Sequence, residues 1–126
     1  MDIVVESTEA FKQDLTGFSE AEQSIILEQI QQGIPLLFGE KISRDKRLHQ
    51  FESFQLPHNY GSSLYSFRVD YRIRVILSFD EDPIFERTLI TLFRAVESQK
   101  SSETYKQVGE QIYRQILQSK QPTLAG

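Results

Sequence analysis

Along the first forty residues the apolar positions fall at helical spacing. Phe11, Leu15 and Phe18 lie on one face, and Ile26, Leu27, Ile30 and Ile34 lie on another. Ser7 or Thr8 is placed to cap the first helix, with Glu9 at its positive end. Gly17 ends it. Ser19-Glu20-Ala21-Glu22 forms a capping box, in which the Ser19 and Glu22 side chains satisfy each other's free backbone N–H groups. Pro35 is expected to kink or end the second helix. The pattern therefore predicts a helical hairpin, preceded by a short strand at Ile3-Val4-Val5.

Residues 39–50 read as a polar, basic loop. Beyond it the period changes from 3.6 to 2. A strand-like run holds Phe51 and Phe54 and stops at Pro57, and His58-Asn59-Tyr60-Gly61 reads as a turn. Tyr65, Phe67 and Val69 then alternate with polar positions, as do Ile73, Val75, Leu77 and Phe79. A two-residue loop between these runs would mix their faces. An odd loop pairs Val69 with Ile73 and Phe67 with Val75, giving one clean apolar face. The same register sets Arg68 directly opposite Arg74, with Arg72 at the bend. Like charges facing each other on a sheet are unfavourable, so an anion is expected there.

Asp80-Glu81-Asp82-Pro83 reads as a solvated hairpin turn, and residues 86–94 as a central strand covered on both faces. A polar loop reaches Ser102. The final helix carries Tyr105, Val108, Ile112, Tyr113, Ile116 and Leu117 on one stripe. The expected fold is α+β: an N-terminal helical hairpin packed on a sheet of four or five mostly antiparallel strands, followed by a C-terminal helix. Residues 1–121 form a single domain, and residues 122–126 a flexible tail.

Composition narrows the classes. The 126 residues are 39% hydrophobic, enough for one core, with no cysteine. Disulfides, thiol nucleophiles and cysteine metal clusters are excluded, and a reducing, cytoplasmic setting is expected. There is no apolar run long enough to cross a bilayer, and the acidic N-terminus does not read as a secretory signal. The net charge is -4, but it is unevenly spread. Residues 1–39 hold one lysine against seven acids, whereas residues 40–49 and 64–74 each carry a balance of +2. Lys41, Arg44, Lys46 and Arg47 make the first of these basic segments a candidate patch for an anionic partner, which the resemblance described below implies to be RNA.

Glycine-rich phosphate loops and nucleophile elbows are absent. His49 and His58 fall outside metal-ligand spacing and read as ordinary loop residues, so neither a metal nor any other cofactor is expected. Arg68, Arg72, Arg74 and Arg94 remain the sharpest candidates. Arginines at strand ends grip phosphate through bidentate, charge-assisted hydrogen bonds. They serve equally well as a salt-bridged polar face, paired with Asp70, Glu86 or the acidic helices. Tyr105 falls on the apolar stripe of its helix, where packing is the simpler reading.

The run Leu64-Tyr65-Ser66-Phe67-Arg68-Val69-Asp70-Tyr71-Arg72-Ile73-Arg74-Val75 resembles the "YxxRVGDYRV" strand pair of the RelE/ParE toxin superfamily. The order of elements is similar too, as are Leu92-Phe93-Arg94 at a strand end and Tyr105-Lys106 on the last helix. The family's loop glycine is missing, and Ser66 stands where some active RelE-like toxins have lysine. The resemblance implies the toxin of a type II toxin–antitoxin pair. RelE-like members cleave mRNA in the ribosomal A site without metal, while ParE-like members poison DNA gyrase. By position it implies phosphate-handling roles for Arg68, for Arg72 or Arg74, and for Arg94, with Tyr105 aiding proton transfer or stacking. The implied partners are a cognate antitoxin and ribosome-bound mRNA, or gyrase, with no membrane and a dimer or toxin–antitoxin complex as the assembly. A non-catalytic interaction protein on the same fold is the alternative, and an unrelated α+β protein with structural arginines is a third.

Overall fold

The computed structural model describes residues 2–37, 47–51 and 63–120. Strand β1 (Asp2–Ser7) leads into helices α1 (Glu9–Thr16) and α2 (Glu20–Leu37). Strands β2 (Leu48–His49), β3 (Leu64–Arg68), β4 (Ile73–Asp82) and β5 (Arg87–Glu97) follow. A single 3-10 turn (Ser98–Lys100) then enters helix α3 (Ser101–Lys120). The strands form one sheet in the order β1-β5-β4-β3-β2. β1 runs parallel to β5 and the other pairs are antiparallel. The expected α+β layout is therefore present, with five strands among the described residues.

Alternation along the strands sends apolar side chains to both faces. Ile73, Val75 and Leu77 of β4 join Phe67 of β3 and Ile90, Leu92 and Ala95 of β5 in a core closed by Phe11, Ile26, Ile30 and Ile34 of the first two helices. The opposite face is smaller. There Leu64 and Ile76 pack with Tyr105 and Val108 of α3. Gly33 sits where α2 comes close to the Phe67 side chain of β3. A Cβ at that position would stand 3.0 Å from Phe67 Cζ and 3.3 Å from a guanidinium nitrogen of Arg47. The spacing of apolar residues gave no sign of this close approach.

The helix starts follow the expected chemistry. Thr8 is extended at φ -77°, and its Oγ1 accepts from Phe11 N at 3.1 Å. The same hydroxyl donates to Phe93 O at 2.8 Å, so it joins the helix cap to β5. Thr8→Ala is expected to lower stability by about 1–2 kcal/mol, with Thr8→Ser restoring most of it, as read by urea denaturation. Ser19 and Glu22 exchange both capping-box hydrogen bonds at 3.1 Å.

Several expectations are corrected. Leu27 is exposed, because it lies off the stripe of Ile26, Ile30 and Ile34. α2 continues through Pro35 to Leu37 instead of ending at the proline. The supposed loop at 39–50 contains β2, held by Leu48 opposite Phe67 and His49 opposite Ser66. Asp80, Glu81 and Asp82 belong to β4, and the turn is residues 83–86, where Asp82 Oδ1 accepts from Ile84 N and Phe85 N. β5 extends to Glu97, and α3 begins at Ser101. Leu117 is exposed, as α3 outruns the sheet it packs on. The strand-like run to Pro57, the turn at 58–61 and the tail at 122–126 lie outside the described residues. Among the described residues no helix is long and apolar enough to cross a membrane.

Candidate functional site

The β3–β4 register is the one expected from the faces. Phe67 pairs with Val75, and Arg68 pairs with Arg74. The bend is closed by Asp70, whose Oδ1 accepts from Arg72 N and Ile73 N, each at 2.8 Å. Arg74 Nη1 donates to the carbonyls of Asp70 at 2.5 Å and Ile73 at 3.1 Å. These contacts tie the Arg74 guanidinium to the carbonyls of the bend. Among the described residues the Arg68 guanidinium has no ion pair or hydrogen bond. The Arg74 guanidinium is held below its ordinary pKa, first by burial and then by the positive charge of Arg68, with Asp70 acting in the opposite direction. An arginine does not shed its proton in water near neutrality, so the strain stays as unrelieved positive potential.

That potential opens into a pocket of about 340 Å³ on the α3 side of the sheet. Arg68, Arg74, Ser66, His49 and Phe51 line it, with Ser98 and Ser101 from the start of the last helix. Arg47 also borders it, but its guanidinium stacks over the Phe67 ring at 5.8 Å from the centroid. Its carbonyl accepts from Arg68 N at 2.7 Å, which anchors β2 beside β3. The Ser98 N–H donates to Arg72 O, and Ser101 Oγ donates to Ser98 O at 2.7 Å, fixing where α3 starts. Two guanidinium groups, small hydroxyls and a helix N-terminus on one concave face suit an anion with several oxygens.

The other two arginines face a different cleft, of about 450 Å³, between the helical hairpin and α3. A bulge creates it. Leu77 pairs with Leu92 and Ile76 with Arg94, leaving Phe93 as an extra residue in β5. β1 stops opposite Leu92, so β5 continues past it with an open edge. Asp14 of α1 closes part of that edge. Its Oδ2 accepts from Arg94 Nε at 2.7 Å and from Ala95 N at 2.9 Å, and its Oδ1 accepts from Arg94 Nη2 at 3.1 Å. The hydrogen bond to Asp14 raises the Arg94 pKa, against burial and with help from the Asp14 charge. Arg72 reaches Glu22 of α2 at 3.4 Å across exposed surface. The salt-bridged reading of the arginines thus holds for Arg72 and Arg94, paired with the acidic helices, and not for Arg68 and Arg74. Asp14→Ala removes a partner from both a guanidinium and an edge N–H. It is expected to cost about 1–3 kcal/mol in thermal or urea unfolding, because both groups lose the acceptor that Asp14 supplies.

Tyr105 does not reach either cleft. It is 1% exposed, and its hydroxyl donates to Leu64 O at 2.8 Å. Its ring packs edge-on against Phe51 at 5.1 Å, and Phe51 packs against His49 at 4.6 Å. The packing reading of its apolar stripe is the one its position fits. His49, which reads in sequence as an ordinary loop residue, stands in the arginine pocket. Its pairing opposite Ser66 was hidden because β2 is only two residues long. Lys41, Arg44, Lys46 and His58 lie outside the described residues. Among the described residues no group of acids or histidines is arranged to hold a metal.

No family model matches the sequence, and no curated protein matches it. Two solved structures are similar to the chain. One is the toxin–antitoxin complex RelBE2 from Mycobacterium tuberculosis, 12% identical, with a TM-score of 0.44 over 77% of this chain and 99% of that chain. The other is the archaeal RelE–RelB complex from Pyrococcus horikoshii, 20% identical, with a TM-score of 0.48 over 77% of this chain and 96% of that chain.

Proposed function

We propose that the protein is the toxin of a type II toxin–antitoxin pair, acting on ribosome-bound mRNA in the cytoplasm as a metal-independent endoribonuclease. The single observation that carries this reading is the paired guanidinium groups of Arg68 and Arg74, facing one pocket at the start of α3. In the proposed reaction a ribose 2′-oxygen attacks the neighbouring phosphorus and the 5′-oxygen departs. Negative charge builds on the non-bridging oxygens as it does so. Two guanidinium groups stabilise that charge: Arg74, held by the carbonyls of the bend, and Arg68 across the ladder from it. Arg74, rather than Arg72, is the partner of Arg68 in this scheme. Arg94 and Arg72 brace the sheet against the acidic helices, and Tyr105 supports the pocket wall.

A non-catalytic antitoxin-binding or gyrase-inhibiting protein is the second reading. One observation favours it. Arg94 is engaged by Asp14, and the Tyr105 hydroxyl by Leu64, so two groups that the family resemblance puts in the chemistry are occupied. Inducing the protein in a bacterium while mapping RNA and DNA ends separates the two. Growth arrest with codon-phased mRNA cleavage, reversed by a small co-purifying partner, is the expected result. Arrest with broken DNA and intact mRNA would favour gyrase. Uninterrupted growth with unchanged mRNA would end both toxin readings.

A further inference from the structure

We propose that His49 is the general base of this reaction, taking the proton from the attacking 2′-hydroxyl; the inference rests on the endoribonuclease reading. The pairing of His49 with Ser66 sets its imidazole on the same sheet face as Ser66 and Arg68. Side chains one step along that face lie about 7–8 Å apart, the span of one nucleotide's ribose and phosphate. His49 is exposed at the pocket wall, and among the described residues its ring nitrogens make no hydrogen bond.

The ring is nonetheless held in place. It packs edge-on against Phe51 at 4.6 Å and 85°, and Phe51 packs against Tyr105 at 5.1 Å and 64°. Tyr105 is itself fixed by its buried hydrogen bond to Leu64 O. This chain of rings gives Tyr105 a positioning role that reaches the pocket through two neighbours.

Chemistry narrows the choice of base. The pocket's other described side chains are arginines, serines and one phenylalanine. Guanidinium groups stay protonated and accept nothing, and serine hydroxyls are weak bases. Among the described lining side chains only the imidazole carries a ring nitrogen that accepts a proton when neutral. The described charged groups around it are Arg68 from β3, Arg74 from β4 and Arg47, two residues before it. The 3-10 turn and α3 contribute only Ser98 and Ser101, and no described carboxylate lines the pocket. In the step itself the O2′–H proton passes to the imidazole as the O2′–P bond forms. The P–O5′ bond then breaks, and the departing 5′-oxygen takes a proton from water. The products are a 2′,3′-cyclic phosphate and a 5′-hydroxyl. The imidazolium stands beside the phosphate's negative charge until it returns its proton to solvent.

The test uses the full chain with programmed ribosomes and follows mRNA cleavage against pH. Wild type is expected to cleave faster as pH rises, since the base acts in its neutral form. His49→Gln should lower the cleavage rate by about a hundredfold or more, keep its RNA affinity and lose that pH dependence. His49→Gly should regain activity when imidazole is added. His49→Gln with a wild-type rate and profile would overturn the assignment while leaving the endonuclease reading standing. A loss of RNA affinity equal to the loss of rate, with no imidazole rescue, would also overturn it by showing a structural role. Absence of cleavage by wild type would overturn the endonuclease reading, and this inference with it.

Discussion

Replacing Arg68 and Arg74 together by alanine is expected to abolish mRNA cleavage and growth arrest at little cost to the fold. Each donor to a developing oxyanion is worth about 10²–10³ in rate, so the double variant should fall to background. Stability should change far less. The pair sits directly across a β-ladder, and the Arg74 pKa is pulled down partly by Arg68. Removing like charges from facing positions typically returns a few tenths of a kcal/mol, which offsets part of the loss of the Arg74 hydrogen bonds to Asp70 O and Ile73 O. Urea unfolding of the double variant should therefore fall within about 1 kcal/mol of wild type. A structural pair would show the reverse, with activity retained and stability lost. Arg72→Ala is the comparison. Its ion pair with Glu22 spans 3.4 Å with the arginine side chain half exposed, and such pairs contribute about 1 kcal/mol or less.

Tyr105→Ala is expected to be the most damaging single change on the α3 side. The side chain is 1% exposed and anchors the cluster of Leu64, Ile76 and Val108. Emptying that volume and removing one of the donors to Leu64 O should cost about 3–5 kcal/mol, a large part of an ordinary domain's stability. Tyr105→Phe separates packing from proton chemistry. It keeps the ring that supports Phe51 and should cost only about 1 kcal/mol. Cleavage by Tyr105→Phe within a few-fold of wild type would fit the packing role. A loss of the size expected for His49→Gln would instead return the phenol to the chemistry.

The extent to which the sequence foretold these features follows from the range of the forces involved. Thr8, the Ser19–Glu22 box and the Arg68–Arg74 register are local, set within four residues or by the parity of one turn, and each was legible. Features set by distant chain were not. β2 is two residues long and exists because Leu48 and His49 meet β3, so nothing in its own composition marks it as a strand. The Phe93 bulge depends on where β1 ends, and the Asp14–Arg94 pair joins residues eighty positions apart. That is why four arginines read as one cluster divide into two sites. Tyr105 shows how the resemblance and the helical stripe pointed to different roles, and its burial follows the stripe.

The acidic balance of the chain loses some of its weight once the layers are known. Asp14, Glu22 and the other acids of α1 and α2 lie on the sheet face opposite the Arg68–Arg74 pocket. Salt screens such charges over about 8 Å under physiological conditions. An RNA phosphate arriving from the α3 side meets guanidinium groups first, whatever the net charge of -4.

The most direct test of this account is the salt dependence of binding to a short single-stranded RNA, measured by fluorescence anisotropy for wild type, Arg68→Ala/Arg74→Ala and Arg72→Ala. Each phosphate contact in a single strand adds about 0.7 to the slope of log affinity against log salt. The account predicts that the Arg68→Ala/Arg74→Ala protein binds more weakly with a slope shallower by about 1.4, while Arg72→Ala keeps the wild-type slope. An unchanged slope in the double variant, or a loss confined to Arg72→Ala, would contradict it.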